Sequence, residues 1–246
     1  MMKTTLPRKI VTCFVAGLTS IALLLMLGNS GTLTWFPPQI VFSLVGLTFL
    51  LSLIYPFIWQ NQENKNKVNS EKIYGFLYSI IRYTIAFNLA SFGWKKMLGL
   101  QFVVPREIAS QPMNQQSGEW LTWYYFGYSS VFGIVLALIQ IIGAYFLLFR
   151  KTLLIASITL FAFMLNLTLI NIFYQMNAGA LTQSVLITIG ISFLILLDYD
   201  KLVVFFLKTK SGLPSIFQSN ILLKHTIRIS AIILSLLFTL YLKSLI

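Results

Sequence analysis

Long apolar runs alternate with short polar stretches along the whole chain, and the length of the runs sets its class. A hydrocarbon layer about 30 Å thick is crossed by about 20 apolar residues in a helix. Seven runs approach or reach that length: 10–27, 36–58, 73–98, 127–149, 152–173, 183–199 and 227–245. The predicted class is therefore all-α, a polytopic membrane protein of about seven transmembrane helices. The first run follows Lys3, Arg8 and Lys9, and no small-x-small cleavage site follows it, so it reads as an uncleaved signal anchor.

Polar segments divide the runs into groups. Two runs and the stretch Gln60 to Lys72 make up residues 1–72, four runs make up 73–207, and a basic linker with a last run makes up 208–246. That linker contains Ser211, Gly212 and Pro214. Pro37 and Pro38 open the second run, where a missing N–H costs little. No internal repeat supports an inverted-repeat transporter.

Composition agrees with this class. The 246 residues are 57% hydrophobic and 10% charged, whereas soluble domains are about 25% charged. The net charge of +12 would suggest nucleic acid in a soluble chain. Here the cations lie between apolar runs and are not interleaved with stacking aromatics, so nucleic acid is excluded as a partner and the lipid bilayer takes its place. With the N-terminus inside, 13 of the 18 lysines and arginines fall on the inner side and four outside. The expected topology is N-terminus inside and C-terminus outside.

Several chemistries drop out. Cys13 is the single cysteine and His225 the single histidine, so disulfides, thiolate cages and multi-histidine metal or haem sites are not expected. Glycine-rich phosphate loops, HExxH and GxSxG are absent, and no catalytic constellation is assigned. Asp198 and Asp200 beside Lys201 read as an interfacial cluster, and no run carries a deep carboxylate, which argues against a proton pump.

The candidate chemistry is a set of polar residues within runs. Arg82 lies about ten residues into the third run, roughly 13 Å deep. A cation there costs about 2.5 to 3.5 kcal/mol and must face protein or water. Arg82, Ala86, Leu89, Gly93 and Lys96 share one helical stripe, whose small members admit a neighbouring backbone. Gln140, on the fourth run, falls at the same calculated depth, so an Arg82–Gln140 hydrogen bond is expected, with a further acceptor such as a helix carbonyl. The fifth run presents Thr168, Asn171 and Gln175 along one face with Asn166 deeper, either as interhelical hydrogen bonds or as a pocket for a solute or quinone. Trp120, Trp123, Tyr124 and Tyr125 form an interfacial belt or a platform for quinone or lipid.

The segment Arg82-Tyr83-Thr84-Ile85-Ala86-Phe87, continuing to Gly93-Trp94-Lys95-Lys96, resembles the characteristic span of DoxX-like membrane proteins. The resemblance extends through Gln111-Pro112, Phe126-Gly127, Gly143 to Arg150, and Asn166, Asn171 and Tyr174, over roughly 73–207. It implies a four-helix membrane bundle in a bacterial inner membrane, with a possible quinone and a membrane or redox protein as partner. Family members carry a glutamate where Gln140 stands, and relatives an acid near Gln175 and a histidine near Ser184; here those positions are neutral. The expected function is a non-catalytic or accessory membrane subunit. A quinone- or anion-binding site near Arg82, Gln140 and Tyr174, and a small-solute transporter or channel, are the two alternatives.

Overall fold

The computed structural model describes residues 5–29, 33–209 and 221–244. Among these the chain is all-α, with ten helices: α1 (Leu6–Gly28), α2 (Pro38–Asn64), α3 (Ser70–Met97), α4 (Arg106–Ala109), α5 (Gly118–Gly127), α6 (Ser130–Leu147), α7 (Leu153–Phe173), α8 (Ala178–Leu197), α9 (Tyr199–Val203) and α10 (Ile221–Ser244). Six of them are long and apolar enough to cross a membrane: α1, α2, α6, α7, α8 and, within α10, His225–Ser244. By helix length and hydropathy this is a multi-pass membrane protein that contacts the lipid bilayer. The third expected run forms the 28-residue α3 but is not one of the six. Its sequence includes Glu71, Lys72, Arg82, Asn88, Lys95 and Lys96.

Local chemistry explains where several helices start and stop. Asn69 caps α3, its side chain accepting from the backbone N–H groups of Glu71 and Lys72 at 3.0 and 3.2 Å. Asn177 accepts from the Ala180 N–H at 3.0 Å, so α8 begins five residues ahead of the apolar run. α1 ends at Asn29, which takes a left-handed φ of 41°. The fourth run breaks at Tyr128 and Ser129, giving the short aromatic helix α5 and then α6.

The chain divides after Tyr199 into two compact units. In the first, α1 packs on α2, α3 and α8; α3 packs on α6, α6 on α7 and α7 on α8. Five helices thereby close a ring, with α2 outside on α1. α1 and α3 run parallel: Arg8 lies over Tyr74 at one end, and Lys95 donates to Asn29, 66 residues away, at the other. α6 runs against α3, since Lys96 meets Gln140 while Arg82 meets Leu147. We call the end that holds the start of α1 proximal and the opposite end distal.

The core between these helices is apolar and includes Ala22, Ile85, Leu89, Leu147, Leu160 and Ile191. α1 contributes to it directly, so the first helix shares a core with the 73–207 segment. The stretch Gln60 to Lys72 is not a free linker. α2 continues to Asn64, and two residues of the stretch, Glu63 and Ser70, enter a buried network while most of the others stay exposed. Lys9, fully buried, pairs with Glu63 and donates to Gln60 Oε1 at 2.6 Å. The Ser70 hydroxyl donates to Glu63 and accepts from Trp59 Nε1 at 2.9 Å. Gln60, Glu63 and Ser70 thus surround Lys9 in an ion pair with several hydrogen bonds, the form in which a buried charge is tolerated.

The second unit contains α9 from Asp200 on, a π-helical turn at Val204–Lys208 and α10. Lys3 and the linker residues Ser211, Gly212 and Pro214 lie outside the described residues.

Candidate functional site

The α3 stripe forms as a physical contact surface. Arg82, Ala86, Leu89 and Gly93 are buried, and Lys96 is half-buried at the distal end. Gly93 lies where a side chain could not: a Cβ there would come within 2.6 Å of Ile141 Cγ1 and 3.0 Å of the Ala137 carbonyl oxygen. Gly143 plays the same part on α6, where a Cβ would meet Leu160 Cδ2 at 2.6 Å. Small residues thus bring α3, α6 and α7 close enough for their polar groups to find partners.

Those partners differ from the expected ones. Arg82 does not bond Gln140. Its Nε–H donates to the Leu147 carbonyl at 2.9 Å, and its guanidinium carbon lies 5.5 Å from the Tyr78 ring centroid. Leu147 is the last residue of α6, so its carbonyl has no intrahelical partner and sits at the negative end of the helix dipole. Equal depth in two helices failed as a guide because α3 begins beyond the end of α6. Gln140, 1% exposed, accepts instead from Lys96 Nζ at 2.8 Å, and that ammonium also bonds the Phe92 carbonyl at 3.4 Å. The rings of Phe92 and Phe102 lie 6.0 and 5.7 Å from it.

The α7 residues part company. Asn171 is buried and its Nδ2 donates to the Ala180 carbonyl at 3.1 Å and to the Ser184 hydroxyl at 2.9 Å. Thr168 and Thr188 share a hydrogen bond of 2.9 Å. These contacts tie α7 to α8. Gln175 lies past the end of α7 with φ of 52° and is exposed, so it leaves the face it was expected to share. Asn166 is exposed, on another side of the helix. Tyr174 is exposed at the distal end, beside Gly118, whereas Arg82 bonds the proximal end of α6. Arg82, Gln140 and Tyr174 therefore do not form one pocket.

A groove of about 360 Å³ opens between α6 and α7, lined by Val135, Leu138, Ile142, Phe146, Ile155 and Thr159. At the distal end Trp120 and Trp123 of α5 pack edge to face at 5.8 Å, and Phe102 stacks on Phe126 at 5.4 Å. Groups of three or more metal-ligating side chains are absent among the described residues.

The sequence reading did not single out the Lys9–Glu63–Ser70 network or Asn88. Lys9 read as a topology charge and Glu63 as part of a linker. The available signal was spacing: Trp59 and Glu63 fall on one helical face, as do Ser52 and Pro56, and all four are buried. Asn88 is fully buried; its Nδ2 donates to the Thr84 carbonyl at 2.9 Å while Oδ1 has no partner among the described residues. No protein-family model, curated protein or solved structure matches this chain.

Proposed function

We propose that this protein is a non-catalytic accessory subunit of a bacterial cytoplasmic membrane, with a DoxX-like module over 73–207, which works by holding another membrane protein. The observation that carries the reading is how the membrane-level polar groups are used. Lys96 is spent on Gln140, Asn171 on Ala180 and Ser184, Thr168 on Thr188, and the Nε–H of Arg82 on the end of α6. Such bonds rigidify a bundle and line no path for a solute or reacting group. The groove between α6 and α7 is apolar, suited to a helix or an acyl chain.

α3 is the seventh span in this proposal. Its buried face binds α1 and α6, and its exposed face carries Phe76, Tyr83, Phe87 and Trp94 at helical spacing, a surface suited to lipid. The N-terminus is placed inside, where Arg8, Lys9, Lys65, Lys67, Lys72, Arg150 and Lys151 gather at the proximal end.

Mild-detergent purification of the full chain with crosslinking tests the role. A second membrane protein should co-purify in fixed ratio, and Asn166→Leu, which alters an exposed polar position on α7, should weaken its retention. Recovery of this chain alone, together with solute flux in liposomes, would replace the accessory reading with a transport one.

A further inference from the structure

At the proximal end, four side chains form a ladder. The Arg8 guanidinium lies 4.7 Å from the Tyr74 ring centroid, the Tyr74 and Tyr78 rings stack at 6.5 Å with 9° between their planes, and the Arg82 guanidinium lies 5.5 Å from Tyr78. Tyr74, Tyr78 and Arg82 are four residues apart on α3, and Arg8 comes from α1, so two cations bracket two stacked rings over about 12 Å of helix.

The ladder carries two hydrogen-bonding groups with nothing to bond among the described residues. Arg82 is 5% exposed, and among the described residues its Nη2 has no partner; neither has the Tyr74 hydroxyl. Leaving a buried donor unpaired is costly, and such groups in native proteins point to a missing water, ion or ligand. Both can donate, and both stand beside guanidinium charge, so the partner they lack is an electron-rich acceptor. The charged groups facing Tyr78 from other elements are Arg150, from the turn after α6, and Asp198, at the end of α8. With Arg8, Arg82 and Arg150 against Asp198, the surroundings stay cationic.

We propose that this ladder is a binding site for an anionic phospholipid headgroup. The phosphate displaces the exposed Arg8 side chain from the Tyr74 ring, pairs with its guanidinium and accepts from the Tyr74 hydroxyl, while the ester oxygens below it accept from Arg82 Nη2. A phospholipid fits better than a free anion because it presents acceptors at two depths, phosphate above and ester carbonyls below, as the ladder presents donors at two depths. The basic residues clustered at this end are those that gather at a headgroup layer.

The test uses the full-length protein, stripped of lipid in detergent, with phosphatidylglycerol, phosphatidylcholine of the same acyl chains, or inorganic phosphate added. Native mass spectrometry and thermal melting are the readouts. Phosphatidylglycerol should be retained and raise the melting temperature, and the other two should not. Tyr74→Phe removes a hydroxyl with no partner among the described residues, so its lipid-free melting should match the wild type while its affinity for phosphatidylglycerol falls on the order of tenfold, as for loss of a hydrogen bond to a charged group. Arg8→Gln should do the same. Equal retention of the two lipids, or unchanged affinity in Tyr74→Phe, overturns the site. An equal effect of inorganic phosphate overturns the lipid in favour of a free anion. These results do not depend on whether a protein partner is found.

Discussion

Lys96 and Gln140 show how one residue decides what a buried charge costs. The ammonium is held by an amide oxygen and a helix carbonyl, with two phenyl rings beside it. Gln140→Leu removes the better acceptor and leaves the cation under-solvated, so a loss of about 2 to 3 kcal/mol is expected, read as a lower melting temperature in detergent. Adding Lys96→Met should recover most of the loss, because the charge that needed solvating is gone. If the double variant melted as low as the single one, the Lys96–Gln140 bond would not be the source of the effect. Gln140→Glu would make an ion pair of the same contact.

Among the elements, glycine positions separate contact surfaces from open ones. Gly93→Ala should push α3 off α6, because the new methyl would strike Ile141 and a backbone carbonyl, and a cost of about 1 to 3 kcal/mol follows. Gly75, in the same helix, has nothing within 4 Å of a built Cβ, so Gly75→Ala should be neutral or stabilise by up to about 1 kcal/mol through helix propensity. Equal melting of the two variants would contradict the α3–α6 packing. The joint between α1, α2 and α3 rests on an ion pair. Glu63→Leu leaves Lys9 buried without its carboxylate, a loss of about 3 to 5 kcal/mol that should lower the yield of folded protein. Lys9→Met combined with Glu63→Leu should restore folding, since well-packed apolar replacements of such pairs are often tolerated.

For the whole molecule the open quantity is topology, and α3 decides it. In a Cys13→Ala background, Asn66→Cys, between α2 and α3, and Gln115→Cys, between α4 and α5, should label from opposite sides of the membrane. Labelling of both from one side would remove α3 from the spans and reverse the orientation of everything after it. Lys151→Cys, in the turn between α6 and α7, should label from the same side as Asn66→Cys, because Arg82 of α3 reaches the end of α6 that precedes this turn.

The apolar runs by themselves determined that the chain is a helical membrane protein by length and hydropathy, and where its long helices lie to within about six residues at each end, because hydrocarbon imposes a length and a hydropathy that can be counted along the sequence. Arg82, Lys96, Gln140 and Asn171 stood out for the same reason: a polar group inside such a run is costly anywhere. Tertiary structure alone decided which of them meet. Partner choice depends on how far each helix extends past its neighbour and on which way each face turns, and counting from the ends of apolar runs supplies neither. That is why Gln140 went to Lys96, Arg82 to the end of α6, and Asn166 to the outside. It is also why Gln60, Glu63 and Ser70, within a stretch polar enough to read as a linker, were found closing a buried charge network.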